Sequence, residues 1–286
     1  MLTVFLEVKF CLSIKTSVDR TLFNFKKFSP LLKNLVAKDF KVKYRRSFLG
    51  VAWSVLNPLL TMLVLTQVFS LLLRVGSVEN FASYYIVGSA LWTFFSEATS
   101  NSLSSILGAS ALIKKVYIPK YIFPLEKCIF SLVNFLFSLI AVALVVLVQD
   151  YTQFSLFSLL FPIPVLYCFV FTAGLCFFLS AVTVYFRDVA HLYGVLLTMW
   201  IYLTPILYPM SIFDNINVSA TFSRFIKIVV TFNPMTHYVQ YFRDVVIYHT
   251  IPGLGENLIC MAISLGTLFI GALVFKRAQD KFILHI

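Results

Sequence analysis

Few side chains in this sequence could carry out chemistry, and their spacing narrows what that chemistry is. Glu97 is the only charged residue between Phe81 and Ile113. A lone carboxylate supplies neither an acid–base pair nor a proton relay, which needs several titratable groups. His191, His237, His249 and His285 lack metal-ligand spacing. Cys11, Cys128, Cys168, Cys176 and Cys260 form no C-x-x-C pair, and four of them sit in apolar stretches. They read as small packing residues rather than a disulfide frame or a metal site. No Gly precedes a Lys, so the G-x-x-x-x-G-K-[ST] phosphate loop is missing and ATP cannot be bound by that route. Gly253-x-Gly255 is a fragment of a dinucleotide pattern and carries no weight. Neither G-x-S-x-G nor H-E-x-x-H occurs. The expectation is a chain with no catalytic group, cofactor or metal of its own. An intramembrane glycosyl- or phosphotransferase is the enzyme alternative, and it lacks the acid, base or metal cluster it would need.

What remains are polar and aromatic groups in unusual settings, each with two readings. Glu97 either lines a conduit or packs helices by bonding Ser96, Thr99 or Ser100. Trp92, Phe95, Trp200 and Tyr202, with Tyr85 and Tyr208, either line a path for a ring-bearing substrate or form interfacial belts and packing. The run from Leu112 to Lys120 mixes Lys114, Lys115 and Lys120 with Val116, Tyr117, Ile118 and Pro119. It either seats in a groove of another protein or hugs the membrane surface as a turn. Arg187 and Asp188 suit a structural turn, with Asp188 capping the helix that follows.

These groups must be held by elements that live in lipid. The 286 residues are 60% hydrophobic and only 12% charged, with a mean hydropathy of +0.90. Soluble domains carry about 25% charged residues, and a fold of this size could not bury so much apolar surface. A helix needs about 20 apolar residues to cross hydrocarbon. Runs of that kind predict spans near Val55–Leu73, Tyr84–Ser105, Cys128–Gln149, within Tyr151–Phe186, Val189–Tyr208 and Asn257–Phe275. The expected fold class is an all-α integral membrane protein with about six transmembrane helices.

Lys and Arg set the orientation. The segments before Trp53, between spans two and three, between four and five, and after span six hold 19 of them. The opposite side holds four: Arg74, Arg224, Lys227 and Arg243. That asymmetry predicts a multi-pass protein of the cytoplasmic membrane with both termini cytoplasmic. It also accounts for the net charge of +11 through contact with anionic lipid, without nucleic acid.

Ahead of span one, Val36, Phe40, Tyr44, Phe48 and Val51 recur at helical spacing with Lys38, Lys41 and Arg45 opposite, an amphipathic interfacial helix. Pro209–Glu256 holds the apolar pieces Phe222–Phe232 and His237–Tyr248, too short to span, broken at Phe232-Asn233-Pro234. They fit short external interfacial or re-entrant helices between spans five and six. Ala262-x-x-x-Gly266 in span six would permit a close helix contact. The expected organisation is 1–50, a cytoplasmic segment with the interfacial helix; 51–278, the transmembrane domain; and 279–286, a cytoplasmic tail.

Taken in order, several stretches resemble the membrane permease subunit of type-2 ABC exporters for polysaccharides, the family that exports O-antigen, capsule and teichoic acid. They are Lys38 to Gly50, followed by Trp53 and Asn57-Pro58; Leu112 to Pro119, followed by Pro124-Leu125; Tyr185-Phe186-Arg187-Asp188; Tyr202 to Pro209; and Asn233-Pro234-Met235-Thr236, with Arg243 downstream. The set covers roughly Leu35–Phe275. The resemblance implies a homodimer with the conduit between two copies, and an ATP-binding cassette ATPase dimer that holds ATP and Mg and touches Lys114–Pro119. It implies a lipid-linked glycan as substrate. It maps the family's interfacial gate helix onto Leu35–Phe48, with Phe40, Tyr44, Arg45 and Phe48. A drug or small-lipid exporter of the same fold and a purely structural scaffold are the remaining alternatives.

Overall fold

The structure, a computed structural model, describes residues 27–45, 47–72, 80–149, 159–209 and 220–285. Cys11, Arg46, Arg74 and the 210–219 part of the external segment lie outside the described residues. All regular structure among the described residues is helical. The chain divides into two units, one ending at Arg45 and one beginning at Arg46.

The first unit contains helix α1, residues 27–44. It differs in extent from the expected Leu35–Phe48. Phe40 and Tyr44 stack at i and i+4 with ring centroids 5.3 Å apart, and the Lys43 amine lies 5.7 Å from the Tyr44 ring. The stripe therefore holds Val36, Phe40 and Tyr44 but stops there. Phe48 and Val51 follow the helix rather than extend it. In the second unit the Gly50 N–H donates to Ser47 Oγ at 3.1 Å, and Val51 sits in the 3-10 turn Gly50–Ala52. A serine side chain that bonds nearby backbone offers the chain a turn in place of another helical turn.

The second unit runs α2 Trp53–Leu72, α3 Phe81–Leu103, α4 Ser105–Gly108, α5 Ser110–Ile113, α6 Ile122–Gln149, α7 Pro162–Tyr185, α8 Val189–Tyr202, α9 Ala220–Phe232, α10 Pro234–Val246, α11 Leu254–Ala278 and α12 Phe282–His285. Among the described residues, four helical stretches are long and apolar enough to cross a membrane: Gly50–Val68, Ile122–Val148, Pro162–Tyr185 and Leu254–His285. The other two expected spans differ from these for physical reasons.

Helix α3 has 23 residues but is less apolar, and its core residues Ile86, Val87, Leu91, Phe95 and Ala98 are fully buried among α2, α6, α7, α8 and α10. A helix shielded by neighbours can carry polar groups because its side chains need not dissolve in lipid. Its hydroxyls return to its own carbonyls: Thr93 to Ser89 O, Thr99 to Phe95 O and Ser102 to Thr99 O, each at 2.7 Å. Helix α8 stops at Tyr202 after 14 residues, six short of the expected end at Tyr208. Pro205 has no N–H to continue the ladder, so 203–208 turns instead. Helix α6 starts earlier than expected, at Ile122, and so takes in Glu126 and Lys127, which pair at 3.2 Å.

The most extensive helix pair is α7 with α11. Its crossing is at Gly174 and Gly271, where a Cβ on Gly174 would lie 2.6 Å from the Thr267 carbonyl and one on Gly271 would strike the Gly174 carbonyl. Ala262 and Gly266, the pair whose spacing would permit a close contact, are both exposed, and a Cβ on Gly266 would meet nothing within 4 Å. Small-residue spacing recurs on several faces of α11, and only packing selects the face that is used. Cys128, Cys168, Cys176 and Cys260 are buried free thiols, as packing residues should be.

Candidate functional site

Two places gather the residues singled out above. One is an aromatic and polar junction where α3, α7, α8, α10 and α11 meet. The other is the connection from α5 to α6 with the chain's C-terminal end.

The junction starts from a local sequence effect. Pro234 can open a helix because a first-turn N–H is unpaired anyway, and Asn233 before it is a strong N-cap. Asn233 Oδ1 accepts from Met235 N–H at 3.0 Å and from Trp200 Nε1 at 2.7 Å. Its Nδ2 donates to Leu203 O at 3.1 Å and to Thr204 Oγ1 at 2.9 Å. One side chain thus uses its full hydrogen-bonding capacity to tie the end of α8 to the start of α10. Helices α9 and α10 have 13 residues each, about 20 Å of helix against about 30 Å of hydrocarbon. Helix α10 is held inside protein. The Tyr238 hydroxyl meets Ser264 Oγ at 2.7 Å, Ser264 Oγ donates to Tyr167 O at 2.9 Å, and the Tyr241 hydroxyl donates to Asn257 Oδ1 at 2.7 Å.

Arg243 of α10, counted from sequence among the external cations, is fully buried. Its Nε and Nη2 donate to Tyr84 O at 3.2 and 3.1 Å, and Nη1 donates to Pro205 O at 2.7 Å. Its guanidinium lies 3.4 Å from the centre of the Tyr84 ring. The Tyr84 hydroxyl donates to Pro205 O and Tyr208 O at 3.1 and 3.0 Å. The cation thus supplies the donors that the interrupted α8 needs and pins its exit turn to α3. Gly88 makes the room: a Cβ there would sit 2.5 Å from Nη2. The sequence signal was present, an arginine flanked by Tyr241, Phe242 and Val245 in a helical piece, but orientation counting cannot tell a buried cation from a loop cation.

The conduit candidates divide. Trp92 and Trp200 meet edge-on at 6.4 Å, Phe95 lies 5.1 Å from Trp200 and 5.8 Å from Phe171, and Phe171 lies 5.3 Å from Tyr238. Phe95 is fully enclosed and Trp92 nearly so. Trp200 is half-buried and borders an open apolar groove of about 870 Å³ between α8 and α9, whose walls include Leu196, Met199 and Phe232. Tyr202 is exposed. Glu97 accepts from Asn134 Nδ2 of α6 at 3.1 Å, while Ser96 and Thr99 bond α3 carbonyls. A cross-helix amide meets the carboxylate.

In the α5–α6 connection, Ile113 and Ile118 are buried and anchor the segment. Lys114, Lys115, Val116 and Tyr117 point outward, Tyr117 with 94% of its surface accessible. Ile118 is therefore not displayed with Val116 and Tyr117. At the α7–α8 turn, Arg187 and Asp188 are exposed. Asp188 occupies the N-cap position without a side-chain cap bond, and its carbonyl instead accepts from His191 and Leu192 N–H at 3.0 and 3.2 Å.

Residues 30–247 match the family model described as ABC-2 type transporter. The chain belongs to the ABC-2 type transporter family. This permease is 31% identical over 256 residues to the O-antigen export system permease protein RfbA of Myxococcus xanthus, covering 89% of this chain and 95% of that protein. It is 28% identical over 221 residues to a Klebsiella pneumoniae protein of the same name, covering 77% and 82%. The permease is a multi-pass membrane protein and the membrane subunit of a transporter rather than an enzyme. Membership of the family implies an ATP-binding cassette ATPase as its partner.

Proposed function

We propose that this permease exports a lipid-linked, O-antigen-type polysaccharide across the cytoplasmic membrane, as a homodimer driven by ATP hydrolysis on a separate ATPase dimer. The observation that carries this reading is similarity along nearly the whole length of a protein named for O-antigen export. A missing phosphate loop agrees with ATP and Mg being held on the partner. Six crossings remain the proposed topology, with the more polar α3 and the shorter α8 completing the four long apolar helices and α9 and α10 re-entering from outside. Helix α1, with Phe40 and Tyr44 on its apolar stripe and Arg45 directly after it, is the proposed interfacial gate element. Trp200 and Tyr202 are better placed than the enclosed Phe95 to meet a passing sugar ring, since an aromatic face must be accessible to stack.

The ATPase docks on Lys114–Pro119 in this reading. Tyr117 extends from buried anchors at Ile113 and Ile118 and is flanked by lysines, the form of an aromatic anchor that fits a partner's groove. Tyr117→Asp places a charge in that groove and is expected to reduce ATPase capture about tenfold, the equivalent of losing one modest anchor. Surface polysaccharide should fall with it. Normal capture and normal export in that variant would show that the segment is only a membrane turn.

Orientation is tested separately. With both termini cytoplasmic, Lys281→Cys should react with a membrane-impermeant thiol reagent only after the cells are opened. Labelling in intact cells inverts the assignment.

A further inference from the structure

The C-terminal end of α11 collects two elements that the docking segment and the α7–α8 turn send to it. The last carbonyls of a helix have no partner within that helix and carry its negative dipole end. Here they are taken by side chains from elsewhere. The Tyr185 hydroxyl, at the last residue of α7, donates to Ala278 O at 2.9 Å. The Lys120 amine, at the end of the docking segment, donates to Gln279 O. The helical path then continues through the 3-10 turn Gln279–Lys281 into α12, and the Phe282 N–H shares the Gln279 carbonyl with Lys120. Phe282 is fully buried there, with its ring 5.4 Å from Phe275 and 6.2 Å from Tyr185. The Lys120 amine lies 5.7 Å from the Phe282 ring, and His285 packs on Tyr185 at 4.8 Å.

A frayed tail would expose Phe282 to solvent and withdraw its N–H from the Gln279 carbonyl. Instead, Lys120 is bound at once to a helix end and to an aromatic face. Displacement of the docking segment must therefore move the end of α11. Helix α11 is locked to α7 at the Gly174–Gly271 crossing, so the displacement passes into that pair.

We propose that residues 279–285 are a strut that transmits movement of the ATPase-docking segment to the α7–α11 pair, with Phe282 and Lys120 as its positioning residues. This rests on the docking reading above. The strut acts after docking, so its loss should spare ATPase capture and hydrolysis while lowering export per ATP consumed.

The test co-expresses the permease with its ATPase and follows ATPase capture, hydrolysis in reconstituted membranes and surface polysaccharide in cells, at matched permease levels. Phe282→Ala is expected to retain capture and hydrolysis and to lower export per ATP about tenfold, the size of one partly buried cation–π contact. Phe282→Leu should restore most of the ratio by refilling the buried site. Lys120→Met, which leaves the core packed, should lower the ratio in the same direction and decides the matter if Phe282→Ala fails to accumulate. An unchanged export-to-hydrolysis ratio in Lys120→Met overturns the strut, as does a parallel fall of export and hydrolysis in Phe282→Ala. Retention of the ATPase by Tyr117→Asp overturns the docking reading instead, so the two failures appear in different variants.

Discussion

Arg243→Ala is expected to leave little folded permease in the membrane. The guanidinium stays charged at any physiological pH and is fully buried, yet its bonded partners are carbonyls from two different elements. Removing it opens a side-chain-sized void beside Gly88 and withdraws donors from the Tyr84, Pro205 and Ile206 carbonyls. Pro205 O keeps the Tyr84 hydroxyl, so the loss is partial there. Unsatisfied buried acceptors cost about 1–3 kcal/mol each, and emptying a large buried side-chain site costs about 2–5 kcal/mol. That is a large part of the stability of an ordinary domain, about 5–15 kcal/mol. Arg243→Lys should not rescue it: one ammonium on a flexible stem cannot reach both Tyr84 O and the 205–206 carbonyls as a planar fork does. The measurement is permease yield and thermal unfolding in detergent. A lysine variant that melts with the unmodified protein would show that charge alone, not the fork, holds the turn.

The buried arginine also marks where sequence reading runs out. Apolar runs gave the helical class, placed α2 and α11 to within three residues at each end, caught the end of α6 but not its first six residues, and bracketed α7, because lipid imposes length and hydropathy on any helix that faces it. The same rule under-describes α3, whose surroundings are protein, and over-extends α8, whose end is set by Pro205 and by donors from a helix almost forty positions later. The break at Asn233-Pro234 was legible because capping is a local rule. Its reach to Trp200, Leu203 and Thr204 was not, since nothing in local spacing names a partner about thirty residues away. The docking segment was legible as a mixture of lysines and apolar side chains. Which of its side chains are displayed needed coordinates, because Ile113 and Ile118 differ from Val116 and Tyr117 only in what lies beneath them. The eight residues 279–286 read in sequence only as an end, whereas Phe282 within them is wholly enclosed.

Helix contact by small residues gives the second large effect and separates two positions that sequence treats alike. Spacing alone pointed to Ala262 and Gly266, yet both face outward and the backbones meet at Gly174 and Gly271. In lipid, helices associate through close packing and hydrogen bonds rather than hydrophobic exclusion, so contact distance is most of the driving force. A methyl group on Gly271 would overlap the Gly174 carbonyl, and neither backbone can yield as a flexible side chain would. The α7–α11 pair must then separate along its length, which also strains the Tyr238–Ser264–Tyr167 bonds that seat α10. Gly271→Ala is expected to cost about 1–3 kcal/mol from overpacking, and Gly271→Leu should prevent stable assembly altogether. Gly266→Ala, with open space around its Cβ, should be neutral and serves as the matched control within the same helix. Size-exclusion profiles and melting temperatures of the three variants in one detergent decide it. Equal melting of Gly271→Ala and Gly266→Ala would mean that the two helices do not cross at Gly174, and that the strut at the end of α11 has no fixed pair to push against.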